Sequence, residues 1–445
     1  MEAVKWRLNI SRDDGMSWSF PEAMQIEVTN KCNFNCLMCI RHVWKAEPVD
    51  LDLDLYKKIA KLNFPMLKRL ILYGLGEPLT NPFFLHMLKT SRRYLPKESE
   101  IIFSTNGSLL TPRLAEEMLR KIGVNSISFS IDTTDIAKLS NIRKGSQPRI
   151  IMDNFQYVAK IKNTAKNTFK LGVEAVIMKE NVEDLPLLVK SLAEKDIDYI
   201  IVSHVVPYTE HIFRRSVYVT LSKPSFEIIK SSLKHGWNLI REASFELLGR
   251  TYGINTQFKA AKIIKKFWEN ADKNGYWINL PLLFDSADKI EMIEHVEEIF
   301  RKSRKIADEY QIDLKLPNLY PDAKKRSCPY VDKSTAVVRS DGKVVPCLEF
   351  AYSHPMYVNT HMKEVNEVIF GDLKKEKLED VWNKNVYVKF RETRKNFVKN
   401  IPWCGDCPYS TLGCFFTKTN ELDCYANEPG CNECIYSVGL AQCNI

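Results

Sequence analysis

Three cysteines near the start of the chain have a spacing that suits a metal centre. Cys32, Cys36 and Cys39 are separated by three and then two residues. Cysteine thiolates bind both iron–sulfur clusters and zinc. A four-iron cube takes one protein ligand per iron, so three cysteines leave one iron open to a small molecule. The alternative is a zinc site that borrows a fourth ligand, and His42 is close enough in the sequence to supply it.

The other nine cysteines all lie beyond residue 327. They are Cys328, Cys347, Cys404, Cys407, Cys414, Cys424, Cys431, Cys434 and Cys443. Two four-iron clusters need eight thiolates, so either one thiol is free or one cluster is absent. The two Cys-x2-Cys pairs also suit zinc ribbons. Because the cysteines are clustered in a long chain, metal ligation is favoured over disulfides.

Composition narrows the class of protein. The chain has 445 residues with a formal charge of +9, and its basic residues are spread along amphipathic helices as solvated faces. No nucleic-acid-binding motif is present. The first twenty residues lack the order of a secretory signal, and no apolar run is long enough to cross a bilayer. The sequence therefore predicts a cytoplasmic protein that binds neither nucleic acid nor membrane.

Strand and helix patterns alternate from residue 23 to about residue 205. Six such units predict an α/β fold with a parallel sheet, closed as a partial (β/α)6 TIM-like barrel, although eight-unit barrels share the pattern. We expect an N-terminal extension over 1–22, the barrel over 23–210, a helical segment over 211–322 that completes or covers it, and a small Cys-rich iron–sulfur domain over 323–445. Residues 313–316 are predicted to return to the barrel as a strand, and residues 335–346 to form a hairpin.

Short polar or glycine-containing segments end the successive predicted strands. They occupy residues 74–78, 104–107, 128–132 with 141–145, and 176–178. Each one alone is explained by a turn. Together they lie where the carboxyl ends of barrel strands meet, and barrel enzymes build their sites at that rim.

The cysteine spacing and these segments resemble the radical S-adenosylmethionine (radical SAM) superfamily. In that family S-adenosylmethionine chelates the open iron, and its reductive cleavage yields a 5′-deoxyadenosyl radical that takes hydrogen from the substrate. The segment that precedes Cys39 departs from the family, since Met38 stands where an aromatic residue is frequent. The resemblance implies contacts to S-adenosylmethionine from Met38, Gly76, Glu77, Pro78, Ser104, Asn106, Ser130, Asp132, Arg143 and Ile177. Among these, the arginine fork suits a carboxylate.

The last third of the chain resembles the SPASM extension, which carries auxiliary [4Fe–4S] clusters. Residues 340–347, 370–373 and 378–382 carry that likeness, whereas the spacings from Cys407 to Cys414 and from Cys414 to Cys424 are longer than the family's. The resemblance implies that all twelve cysteines are metal ligands, serving the first cluster and one or two auxiliary clusters. The ligand partition stays open.

Residues 38–42, 326–331, 423–427 and 431–443 resemble radical SAM maturases associated with tungsten-cofactor oxidoreductases. This resemblance predicts an enzyme that matures a tungsten or molybdenum pterin oxidoreductase and takes electrons from a donor such as ferredoxin or flavodoxin. One alternative is a peptide-modifying enzyme that forms thioether or carbon–carbon crosslinks. An alternative of another class is a non-catalytic iron–sulfur or zinc protein for electron transfer or binding.

Acid–base residues are indicated only by position. Glu349 lies two residues after Cys347 and is the candidate for proton transfer, with a surface carboxylate as the alternative. His204, Tyr208 and His211 follow the sixth predicted strand and are candidates to face the substrate.

Overall fold

The fold was obtained as a computed structural model, which describes residues 20–164, 169–233, 238–253, 258–286 and 289–445. Most of the predicted N-terminal extension, residues 1–19, lies outside the described residues. Among the described residues, no helix combines the length and the apolar character needed to span a bilayer.

A ten-stranded sheet forms the centre of the fold, in the order β12-β9-β8-β1-β2-β3-β4-β5-β6-β7. Strands β1 to β7 are parallel neighbours in chain order, and β8 is parallel to β1 on the other side. The bounds are β1 Ala23–Ile26, β2 Arg69–Ile71, β3 Glu100–Thr105, β4 Ser126–Ser130, β5 Lys170–Ile177, β6 Tyr199–His204, β7 Asp313–Lys315, β8 Thr335–Val338, β9 Lys343–Val345 and β12 Gly371–Asp372. A separate antiparallel pair contains β10 His354–Val358 and β11 His361–Val365.

Helices connect the strands and cover the sheet. Their bounds are α1 Leu53–Asn63, α2 Phe84–Tyr94, α3 Pro112–Glu116, α4 Ile136–Ile142, α5 Pro148–Thr164, α6 Leu185–Ala193, α7 Glu210–Phe213, α8 Lys223–Leu233, α9 Asn238–Thr251, α10 Lys259–Lys273, α11 Leu280–Asp285, α12 Ile290–Glu309, α13 Pro329–Asp332, α14 Leu378–Trp382, α15 Asn385–Lys395 and α16 Phe397–Asn400. In α1, Asp52 caps the first turn by accepting from the Leu55 amide, and Tyr56 and Ile59 are buried. The α/β class and the partial barrel are confirmed.

Two predicted elements extend the barrel sheet at its edges. Residues 313–315 pair parallel with β6, as predicted for the returning strand. The predicted hairpin is β8 and β9, and β8 pairs with β1. The Cys-rich region therefore contributes strands to the barrel sheet, and its limits as a domain stay a prediction.

Candidate functional site

The three-cysteine loop follows β1 and is anchored to the segment after α4. The amide of Asn35 donates to the Lys144 carbonyl and that of Leu37 to the Ile142 carbonyl, both at 2.8 Å. The His42 ring nitrogen Nε2 lies 2.8 Å from the Cys36 carbonyl oxygen. The imidazole considered as a zinc ligand thus contacts the backbone of the loop.

The thiols of Cys32, Cys36 and Cys39 lie close enough to affect one another. Burial raises the pKa of each, to about 11 for Cys36, and the charge of Cys39 raises the pKa of the other two. The positive charges of Arg41 and Arg143 lower the pKa of Cys39, although burial has the larger effect. Ligation requires thiolates, so a bound cationic group replaces the protons of these thiols.

Gly76 lets the loop after β2 pack directly on the segment that leads to Cys32. A Cβ atom at this position would lie 2.3 Å from the Thr29 carbonyl oxygen and 2.6 Å from that of Lys31. The next amide, of Glu77, donates to the Lys31 carbonyl at 2.8 Å. Only glycine permits this approach, so Gly76 sets the distance between the two loops.

The Glu77 carboxylate connects the loops after β2 and β3. It is buried and accepts from the Thr105 hydroxyl and the Asn106 amide, both at 2.7 Å. Asn106 in turn donates through Nδ2 to Asn33 Oδ1 at 2.9 Å, within the cysteine loop. The neighbouring Pro78 is buried. Glu77 and Asn106 therefore hold the rim together.

Arg143 and Asp132 form a buried ion pair after β4. Arg143 Nε lies 2.7 Å from Asp132 Oδ2, and its Nη2 donates to Oδ1 at 2.9 Å. Burial alone would lower the pKa of Arg143, but the charges of Asp132 and Cys36 raise it. The guanidinium is thus permanently charged beside the cysteine loop. Ser130 ends β4 nearby and is partly exposed.

The residues of the predicted apolar wall, 176–178, lie in two different apolar clusters. Met38 packs with Val176 and Met178, whereas Ile177 points into the main core of the fold. Strand residues alternate between the two faces, so the neighbours of Ile177 face the cysteine loop. Val176 borders the cavity, and the contact of Ile177 with S-adenosylmethionine stays a prediction. Ser104, one of the predicted contacts, donates to Glu174 Oε1 at 2.5 Å inside the barrel.

The nine later cysteines separate into two groups. The inner group borders a cavity and contains Cys328, Cys347, Cys431, Cys434 and Cys443. The distal group contains Cys404, Cys407, Cys414 and Cys424. Burial has the largest effect on the pKa of Cys404 and of Cys424 and raises both, and the charge of Cys407 raises them further. Cys424 is exposed at the surface.

A buried arginine contacts the inner group directly. Arg394 of α15 donates from Nε and Nη2 to the Cys431 sulfur, at 3.3 and 3.2 Å. In the distal group, Asn432 Nδ2 donates to the Cys404 sulfur at 3.1 Å. Hydrogen bonds to ligand sulfurs tune the potential of an iron–sulfur cluster. Sequence reasoning missed Arg394, which no local motif distinguishes from a surface arginine.

One cavity of about 380 Å³ joins the first cysteine loop to the inner group. Met38 and Cys39 border it on one side, and the inner thiols border it on the other. Its polar lining includes Tyr73, Glu174, Tyr208, Tyr330, Glu349, Tyr436 and Asn444. Residues from the barrel and from the last twenty residues of the sequence thus form one chamber.

Glu349 lies in this chamber, and its Oε1 is 3.3 Å from His354 Nε2. Tyr208 and His204 also border the chamber. Burial lowers the pKa of His204 to about 3. His211 instead lies 3.0 Å from Arg215 on an exposed surface. Tyr73, Tyr330 and Asn444 were not predicted, because they carry no motif.

The donor chemistry of both groups fits iron–sulfur clusters. Four-iron clusters take cysteine thiolates, and hydrogen bonds to those sulfurs are typical of their surroundings. In the described parts of the chain, no three His, Cys, Asp or Glu side chains are grouped closely enough to hold a metal ion.

Comparison with known proteins identifies both regions. The radical SAM superfamily model matches residues 26–192, and the SPASM iron–sulfur cluster-binding domain model matches residues 328–408. The tungsten-containing aldehyde ferredoxin oxidoreductase cofactor-modifying protein of Pyrococcus furiosus is 28% identical over 95% of this chain and 97% of its own length.

Two further relatives match a smaller part of the chain. The AdoMet-dependent heme synthase of Methanosarcina barkeri is 30% identical over 37% of this chain and 45% of its own length. The GTP 3′,8-cyclase of Chlorobaculum tepidum is 26% identical over 39% of this chain and 51% of its own length. The chain is an enzyme of the radical SAM type: its matched residues 26–192 imply a [4Fe–4S] cluster that binds S-adenosylmethionine, and its matched residues 328–408 imply auxiliary iron–sulfur clusters in a SPASM domain.

Proposed function

We propose that this enzyme modifies the pterin cofactor of a tungsten-containing oxidoreductase. The observation that carries this proposal is the likeness to the Pyrococcus furiosus cofactor-modifying protein over nearly the full length of both chains. That likeness spans 95% of this chain, whereas the heme synthase and the cyclase match 37% and 39% of it.

The size of the chamber supports a small-molecule substrate. Its volume of about 380 Å³ lies within the range of about 300–1,000 Å³ that is typical of small-molecule sites. Its lining is mainly apolar, with tyrosines and carboxylates that can orient a heteroaromatic ring system. A cofactor of pterin size suits this chamber better than a folded protein.

The chain's own residues have the following proposed roles. Cys32, Cys36 and Cys39 hold the first cluster; with bound S-adenosylmethionine, that centre supplies the radical that takes hydrogen from the substrate. Arg143, positioned by Asp132, binds the methionyl carboxylate together with Ser130. Met38 and Val176 form the wall beside the adenine. The positions of the loops after β2 and β3 are set by Gly76, Glu77, Pro78, Ser104 and Asn106.

We assign the auxiliary clusters as follows. The distal cluster is held by Cys404, Cys407, Cys414 and Cys424, and the inner cluster is held by four of the five inner thiols. Because Cys424 is exposed, the distal cluster is the entry point for a one-electron carrier such as ferredoxin or flavodoxin. Glu349 is assigned to proton transfer, since it faces the chamber and is paired with His354.

The test uses anaerobically reconstituted enzyme with S-adenosylmethionine, dithionite and cofactor extracted from a tungsten oxidoreductase. We expect 5′-deoxyadenosine formation to rise on addition of the cofactor, together with conversion of the cofactor to a product that chromatography separates from it. A variant with Cys32, Cys36 and Cys39 replaced by alanine is the control and should give neither. Stimulation by cysteine-containing peptides alone would favour the crosslinking alternative, and absence of 5′-deoxyadenosine would favour a non-catalytic protein.

A further inference from the structure

The inner cysteine group contains one thiol more than a four-iron cluster binds. All five of its members, Cys328, Cys347, Cys431, Cys434 and Cys443, border the chamber. A four-iron cluster takes four thiolates. One of the five thiols therefore has another role.

Cys443 is set apart from the others by its packing. Cys431 and Cys434 pack in the apolar cluster that contains Trp403. Cys443 packs in a different apolar cluster, with Tyr330 and residues of the barrel strands. Cys328 and Cys347 contact both clusters. The four thiols other than Cys443 thus form one compact set, and Cys443 lies on the barrel side of it.

The segment around Cys443 is fixed inside the barrel. Asn444 Nδ2 donates to Ser128 Oγ at 3.0 Å and to Glu174 Oε1 at 2.6 Å. The Tyr73 hydroxyl donates to the Asn444 carbonyl at 2.7 Å, and the Gln442 amide donates to Ser203 Oγ at 3.1 Å. These contacts hold the thiol at the mouth of the barrel, in the chamber that Met38 and Cys39 also border.

One buried polar atom at the chamber wall lies beside this thiol. Tyr330 is 5% exposed, and its hydroxyl interacts with the Cys443 thiol but has no well-oriented hydrogen-bond partner among the described residues. Buried polar groups are normally satisfied, so a bound substrate is a natural second partner for this hydroxyl.

We propose that Cys443 is a free thiol that donates a hydrogen atom to a carbon-centred radical of the substrate. In this step the S–H bond breaks and a C–H bond forms, which leaves a sulfur-centred radical on Cys443. A one-electron carrier protein returns one electron, and water supplies one proton, to restore the thiol. Each turnover then takes two electrons, one for the cleavage of S-adenosylmethionine and one for Cys443. This role rests on the radical function proposed above.

Iron counting tests the free thiol. Cys443→Ser should keep the wild-type iron content after anaerobic reconstitution, whereas the matched variant Cys434→Ser should lose about four irons per chain. The loss of about four irons in Cys443→Ser would overturn the assignment.

Deuterium transfer tests the donor role. Wild-type enzyme is incubated in D2O with S-adenosylmethionine and dithionite but no substrate, and the deuterium content of the released 5′-deoxyadenosine is measured by mass spectrometry. We expect a deuterated fraction in the wild type that falls at least about ten-fold in Cys443→Ser, because the serine O–H bond is too strong to donate a hydrogen atom. Equal fractions would refute the donor role. If the wild type released no 5′-deoxyadenosine, the radical function itself would fail instead.

Discussion

Arg143 Nε and Asp132 Oδ2 lie 2.7 Å apart after the fourth barrel strand, with the two side chains only 10% and 0% exposed. The same carboxylate accepts from the Val176 amide at 2.9 Å, so it joins the ends of two strands. Asp132 thereby determines where the guanidinium lies relative to Cys36. Arg143 and Asp132 were both predicted to contact S-adenosylmethionine, and Asp132 sets the position of Arg143.

Asp132→Asn should weaken S-adenosylmethionine binding and destabilise the fold. The change leaves a buried guanidinium without its carboxylate, which typically costs about 3–5 kcal/mol. We expect a lower thermal midpoint and a Kd for S-adenosylmethionine raised at least about ten-fold, or about 1.4 kcal/mol. Asp135→Ala is the matched control, because Asp135 caps α4 through the Ala137 and Lys138 amides on an exposed surface. It should cost about 1 kcal/mol of stability and leave the Kd unchanged.

Gly76→Ala should displace the three-cysteine loop. Its Cβ atom would lie 2.3 Å from a backbone oxygen, which cannot rotate away as a side chain can. We expect a loss of about four irons per chain from the first cluster, with the auxiliary iron retained. Gly123→Ala serves as control, because its φ of +78° strains an alanine but no described atom lies within 4 Å of the added Cβ. A full iron complement in Gly76→Ala would contradict the role assigned to this close contact.

Arg394→Met should lower the reduction potential of the inner auxiliary cluster. The guanidinium donates twice to the Cys431 sulfur, and both its charge and its hydrogen bonds favour the more negative reduced state. A ten-fold change in the equilibrium constant corresponds to about 59 mV for one electron, and we expect a downward shift of at least that size. Arg394→Lys, which keeps the charge without the fork, should give an intermediate value. Potentiometric titration followed by EPR provides the measurement, and an unshifted midpoint would refute the assignment.

The pair of Glu349 and His354 should make stability depend on pH. Burial lowers the pKa of His354, but the hydrogen bond and charge of Glu349 outweigh it and raise the pKa above the ordinary 6.5. The stabilising contribution is therefore complete below pH 6.5 and is lost as pH rises through the folded-state pKa. His354→Gln should lower the thermal midpoint of the reconstituted enzyme more at pH 6 than at pH 8. His86→Gln, at an exposed position on α2, should show no such difference.

Much of the site was predictable because its determinants are local. The spacing of Cys32, Cys36 and Cys39 sets their chemistry within one loop, and the parallel sheet brings the ends of its strands to one rim whatever their sequence separation. The returning strand and the hairpin were also predicted from local alternation. In β5 the residues from Val173 to Ile177 alternate between buried and half-buried positions, which places Val176 and Ile177 on opposite faces of the strand.

The sequence by itself determined the class of enzyme, the metal-binding residue type and the order of the barrel strands, because each of these depends on short-range patterns. The tertiary structure decided which of the nine later cysteines share a group, that Arg394 meets a sulfur, and that Cys443 enters the barrel mouth. These are contacts between segments far apart in the chain. Which of these contacts form depends on how the last third of the chain packs against the barrel, and the spacing of residues along the sequence does not determine that packing.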